Sequence, residues 1–211
     1  MELSKILEIF VTFFIIIDPI GVIPIFISIT SGASKRLKRV IAYRALIVSI
    51  VIVFLFAILG KYILNFLGLD LNAFQIAGGI VLMALAYDML RANITTIKTT
   101  QEEREEIREK LIEEQGVWIV PLAIPTLTGP ATMSSIIIFT SNASTLMEKT
   151  IIILAAVFSL IFAFFFMIFS DEVLHKLGTV GINSATRILG IILLSISIKM
   201  IIIGIKNIWY S

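Results

Sequence analysis

The sequence predicts an all-α polytopic membrane protein of six transmembrane helices, arranged as two inverted three-helix repeats with the first helix of each half broken near mid-membrane. Three observations predict it. The 211 residues are 58% hydrophobic and only 15% charged, with a mean hydropathy of +1.04, which is more apolar matter than one soluble core conceals. The apolar residues gather into runs matching the roughly 20 helical residues that cross about 30 Å of hydrocarbon. Two of those runs share an interruption built from proline and glycine.

The first run, 6–30, carries Glu8 and Asp18, has no basic leader and contains Pro19, Gly21 and Pro24, so it reads as a mature helix and not as a secretory signal. Runs at 40–60 and 73–90 complete the N-terminal repeat, residues 1–95. Residues 96–115 form a charged linker; between Thr100 and Gln115 acids and bases interleave at helical spacing, the mark of a solvated face rather than of a docking site. The C-terminal repeat, 116–211, supplies runs at 117–140, 150–170 and 187–208. None alternates polar with apolar as a barrel wall does. Phe and Met fill the interior or face lipid, and Trp209 and Tyr210 suit an interfacial belt.

Orientation follows from the basic residues. Lys35, Arg36, Lys38 and Arg39 lie in one connection and Arg91, Lys98, Arg104, Arg108 and Lys110 in another, whereas the opposite side offers Lys5, Lys61, Lys149 and Lys206. The positive-inside rule puts the first group in the cytoplasm. A multi-pass protein of the plasma membrane with both termini outside is expected.

Composition also excludes. Without cysteine, and with His175 as the single histidine, neither disulfides nor a thiolate or His-cluster metal site is expected, and no cofactor is implied. A net charge of +2 argues against nucleic acid as a partner. Enzymatic activity is not expected: pairing Asp18 with Asp88 as a protease dyad would need two carboxylates sharing a site, and the predicted spans hold them about half a bilayer apart. No P-loop is present, so energy must come from a solute or ion gradient.

The two halves correspond. Asp18-Pro19-Ile20-Gly21 sets beside Gly129-Pro130-Ala131-Thr132, aligning Pro19 with Pro130. Phe66-Leu67-Gly68 sets beside Lys176-Leu177-Gly178, and alignment of Ala73 with Ala185 puts Gln75 opposite Arg187 and Gly78 opposite Gly190. Three spans per half invert the second copy, the arrangement that secondary transporters use for alternating access.

Proline inside a helix removes a donor and clashes one turn back, and lipid offers no replacement partner. Asp18 to Pro24 therefore predicts an unwound stretch, and Pro121, Pro125, Gly129 and Pro130 repeat it, with the hydroxyls of Thr126, Thr128, Thr132, Ser134 and Ser135 nearby. Where a helix resumes it presents amide donors; where it stops it presents carbonyls. Two facing breaks could hold both ends of a zwitterion. Thr128 is placed to cap the half-helix at Pro130. Asp18 either caps its own half-helix or takes part in substrate or proton handling. Gly78 and Gly79 either allow close packing, the commoner meaning, or touch ligand.

At Asp18-Pro-Ile-Gly-Val-Ile-Pro, Ala73-Phe-Gln-Ile-Ala-Gly-Gly and Pro125-Thr-Leu-Thr-Gly-Pro-Ala-Thr-Met-Ser the sequence resembles the MarC family of six-helix membrane proteins over essentially its whole length. The resemblance implies a secondary transporter of small neutral amino acids such as glycine and alanine, with a proton or cation as coupling partner. It puts Asp18, Pro19, Gly21 and Pro24 in the family's Asn-Pro-x-Gly-x-x-Pro element and Thr128, Gly129 and Pro130 in its Thr-Gly-Pro element. Asp18 replaces the usual asparagine and adds a candidate proton-coupling charge. Substrate contacts are expected from these residues together with Thr132, Ser134, Gly78 and Gly79. Alternatives are an exporter of other small metabolites or drugs, and a non-transporting membrane scaffold subunit. The bilayer and, in a homo-oligomer, further copies of the chain complete the expected partners.

Overall fold

The computed structural model describes residues 3–30, 33–91, 122 and 126–209. Its regular structure is helical: α1 (Leu3–Ile17), α2 (Val22–Ile29), α3 (Lys35–Phe66), α4 (Leu71–Arg91), α5 (Pro130–Ser141), α6 (Leu146–Ile168) and α7 (Ser170–Trp209). Among the described residues five stretches are long and apolar enough to cross a membrane, with α1 and α2 counted together as Ser4–Ile27; α5 is a shorter apolar helix. The charged linker and most of the first half of the predicted 117–140 span lie outside the described residues.

The helices outrun the apolar windows that predicted them. The predicted 40–60 run is the middle of a helix of 32 residues, because Ser34 caps it and its side chain accepts from the Leu37 amide. The expected 187–208 span begins earlier, after Gly178, whose backbone (φ 64°, ψ 175°) breaks α7 into two helical pieces. Gly68 has the same left-handed backbone, φ 65°, and closes α3 while the Leu69 amide reaches the Leu64 carbonyl at 2.9 Å. Only glycine enters this region cheaply.

The elements recur at a fixed interval. Pro130 stands 111 residues after Pro19, and α6 starts 111 residues after α3. Thr145 caps α6 by accepting from the Glu148 amide, as Ser34 caps α3. The third helices, α4 and α7, pack antiparallel along most of their length, and their contact is made twice over. A Cβ on Gly79 would stand 3.0 Å from the Ser197 carbonyl oxygen and 3.3 Å from the Ile201 nitrogen. On Gly190 it would stand 3.2 Å from the Ala86 carbonyl oxygen and 3.3 Å from the Leu90 nitrogen. Gly190, Ser197 and Ile201 follow Gly79, Ala86 and Leu90 by 111 residues each. Buried Gln75, Leu82 and Met89 face the seam or core as Thr186, Leu193 and Met200 do, again at 111.

This corrects the register read from the sequence. Gly79, not Gly78, is the counterpart of Gly190, and Gln75 pairs with buried Thr186 instead of exposed Arg187. Burial sets the register, and matching alanines misled by one residue.

Two cores result. The larger joins α1, α2, α3, α5 and α6 through residues such as Phe13, Phe26, Ala45, Ile137 and Leu160. The smaller joins α4 and α7 to Ile15 and Ile16 of α1 and to Ala131 and Ile138 of α5. Rings reinforce the first: Phe13 meets Phe139 at 5.6 Å, and Phe14 meets Phe162 edge-on at 5.8 Å.

The repeated seam makes a symmetric prediction. Gly79→Ala and Gly190→Ala each overpack a helix crossing, which costs about 1–3 kcal/mol, and their losses in thermal unfolding in detergent are expected to be equal within error. Markedly unequal losses would break the equivalence of the two crossings.

Candidate functional site at the two helix breaks

α1 stops at Ile17, and the chain leaves the helix over Asp18–Gly21 before α2 begins at Val22. Asp18 makes the break. Its backbone is left-handed at φ 47°, a conformation that aspartate tolerates better than most residues. Its amide closes α1 on the Phe14 carbonyl at 3.1 Å, and its own carbonyl accepts from Val22 at 3.1 Å. Its side-chain Oδ1 accepts from the Gly21 amide at 3.0 Å. This bond caps the turn that leads into α2, whose own cap position is Gly21, and Pro19 stands in that turn, where its missing donor costs nothing. The carboxylate folds so closely over Gly21 that a Cβ there would collide with Oδ2 and with Cγ at 2.7 Å. Asp18 and Gly21 are one unit.

The second break is its counterpart without the carboxylate. Leu122, Thr126 and Leu127 have wide, π-type helical backbone, and the chain is extended at Gly129 (φ −68°, ψ 178°) before Pro130 opens α5. The cap is Gly129, not Thr128 as its hydroxyl suggested, and no side chain performs the capping. The reason is register: Pro130 holds the first helical position of α5, so the residue before it becomes the cap; in the first half Pro19 stays in the turn and Gly21 is the cap of α2. The first bond of α5 runs from Met133 to the Gly129 carbonyl at 3.0 Å. The amides of Ala131 and Thr132 precede it, at the positive end of the helix.

The two breaks are buried in common surroundings. Ile15 and Ile16, just before the first, share the smaller core with Ala131, just after the second. Ile17 and Val22, which bracket the first, share the larger core with Leu127. Both breaks thus lie along the boundary between the cores.

A model for MarC family integral membrane proteins matches residues 3–209 of this sequence. The chain belongs to the MarC family. Among relatives, a UPF0056 membrane protein of Methanocaldococcus jannaschii is 35% identical over 202 residues, covering 96% of this chain and 87% of its own. A second from the same archaeon is 34% identical over 98% of both chains. The UPF0056 membrane protein YvbG of Bacillus subtilis is 30% identical over 98% of this chain and 97% of its own. No solved structure matches. This protein is therefore an integral membrane protein of the MarC family.

In this MarC protein the expected site residues separate into groups. Asp18, Pro19 and Gly21 form the first break, while Pro24 lies in the first turn of α2, beyond it. Gly129 and Pro130 form the second break, with Thr128 buried beside them. The Thr132 hydroxyl donates across the break to the Leu127 carbonyl at 3.2 Å, and that of Ser134 donates back to the Pro130 carbonyl at 2.6 Å. Both hydroxyls stabilise the break itself. Gly78 is brought to α5, where a Cβ would stand 3.2 Å from that of Ser134 and 3.0 Å from Ile138 Cδ1. Gly79 belongs to the seam. Ser135, fully buried on α5, keeps a hydroxyl with no partner among the described residues, which costs about 1–3 kcal/mol unless something else satisfies it. It sits 111 residues after Pro24, so the repeat marked the position; the missing partner needed coordinates.

The cap geometry separates two substitutions. Asp18→Asn keeps an oxygen for the Gly21 amide and is expected to fold with little loss, whereas Asp18→Ala removes it and is expected to cost about 1 kcal/mol. Thermal unfolding in detergent distinguishes them, and equal stability of the two variants would deny Asp18 the cap.

Proposed function

We propose that this protein is a secondary transporter of small neutral amino acids, glycine and alanine among them, working by alternating access. The observation that carries the reading is the pair of buried, proline-containing breaks in equivalent helices of the repeat. At the second break the Ala131 and Thr132 amides suit a carboxylate. At the first, the carbonyls of the last turn of α1 suit an ammonium. Such backbone recognition of a zwitterion needs no arginine clamp, and discontinuous helices in transporters recognise substrate in this way.

Size selection follows from crowding. Asp18 covers Gly21, and Gly78 leaves no room for a side chain beside Ser134 and Ile138, so the space near the breaks favours substrates with little beyond the α-carbon. Asp18 is our candidate for coupling to a proton or cation, since an ionisable group in a membrane span is costly to keep without a function. The reading places the protein in the plasma membrane with both termini outside, needs neither metal nor cofactor, involves no covalent chemistry and leaves homo-oligomer formation optional.

Counterflow of labelled alanine and glycine into sealed proteoliposomes tests it. Accumulation that unlabelled alanine competes away is expected, together with a dependence on external pH that Asp18→Asn abolishes while retaining counterflow. Sealed vesicles that accumulate neither amino acid under any ion gradient would refute the reading in favour of export of other metabolites or drugs, or of a scaffold role.

A further inference from the structure

Resting on the transport reading, we infer that α4 and the part of α7 after Gly178 move as one rigid pair against the other helices, swinging on Gly68 and Gly178 and latched by the Glu8–Lys199 ion pair.

Four observations converge. First, the pair is held together at backbone distance: Gly79, Gly190 and Gly204 each press on main-chain atoms of the facing helix, the last at 2.9 Å from the Asn72 carbonyl oxygen to a Cβ placed on it. Such crossings resist separation because any opening loses close packing along the whole seam. Second, the pair has its own core, whose buried members among the described residues include, from the other helices, Ile15 and Ile16 of α1 and Ala131 and Ile138 of α5, while Leu71 and Phe74 at the start of α4 also reach the larger core. Those four residues flank the helix breaks or follow one along α5, so the breaks lie where the two bodies meet.

Third, the chain enters each helix of the pair through a left-handed glycine, Gly68 at φ 65° and Gly178 at φ 64°, and neither has a neighbouring atom within 4 Å of its would-be Cβ. A hinge needs a few element-terminal residues free to absorb backbone rotation, and these two stand within one residue of equivalence across the repeat. The short helix before Gly178 stays with the other body: Lys38 of α3 holds its Asp171 at 2.8 Å.

Fourth, an ion pair crosses the boundary. Lys199 of α7 meets Glu8 of α1 at 2.6 Å, and both side chains are more than half exposed, 62% and 59%. The pair is thus uncovered by other protein groups, so only the ion contact itself joins the two bodies at this point. By contrast, Lys5 to Glu148 at 3.2 Å joins α1 to α6 within one body.

The chain has no cysteine, so engineered pairs report without background. Asn72 and Asn207, whose side chains meet at 3.4 Å at one end of the seam, become Asn72→Cys/Asn207→Cys; the latch becomes Glu8→Cys/Lys199→Cys. Bridging each pair with a short thiol-reactive, reducible linker in proteoliposomes is expected to leave alanine counterflow intact for the seam and to stop it, reversibly with reductant, for the latch. Counterflow that stops with the seam linked, or survives with the latch linked, overturns the inference. Spin labels at the same pairs in nanodiscs give a readout that does not depend on substrate: one distance across the seam and two across the latch. Two distances across the seam, or a single one across both, overturn it even if the unlinked protein carries no amino acid.

Discussion

A backbone group left unpaired inside hydrocarbon has no water to turn to, and the architecture of this protein is organised around the two places where its helices break that rule. At Asp18 and at Gly129 the chain gives up helical bonds and restores what it can locally. Proline removes one donor where the new helix would have wasted it. The Asp18 carboxylate takes the Gly21 amide, and Thr132 and Ser134 return their hydroxyls to carbonyls around the second break. What remains is sheltered by protein on both sides, because the two cores meet along the broken helices. The long helices α3, α4, α6 and α7 form the housing that keeps lipid away from these sites.

Much of this was legible in the sequence because membranes impose coarse rules. Composition and run length identified the spanning helices, and the clustering of Pro19, Gly21, Pro130 and Gly129 pointed to both breaks, although the first is shorter than the Asp18–Pro24 stretch and Pro121 and Pro125 lie outside the described residues. Helix ends were read less well: α3 continues to Phe66 through Lys61 and Asn65, polar residues that an apolar window rejects but that a helix end near an interface accommodates. The cap at Gly129 was hidden because threonine is the better capping residue in general, whereas the register imposed by Pro130 decided the matter. The one-residue slip in the third helices has the same origin. Side-chain identity suggested Ala73 with Ala185, but the backbone contacts of Gly79 and Gly190 obey the interval set by the prolines.

That interval ties together features that look unrelated one at a time. Helix starts at Lys35 and Leu146, caps at Ser34 and Thr145, and the crossing at Gly79 and Gly190 all repeat at the spacing of the two prolines. The exceptions are informative. Gly68 and Gly178 are one residue closer together than the rest, and helix resumes directly after Gly178 whereas Leu69 and Asp70 separate Gly68 from α4. In the second half the equivalent of continuous α3 is interrupted at Phe169, leaving the short helix that carries Asp171.

The sharpest exception is the pairing of Asp18 with Gly129. In an inverted repeat, exchanging the roles of the two halves turns the conformation open to one side into the conformation open to the other. Were the halves identical, these two conformations would be degenerate in energy. On the transport reading proposed above, a carboxylate in one half and a bare glycine in the other lift that degeneracy at the helix break itself, and such a chain rests off balance, with one side of the membrane favoured before any gradient is applied.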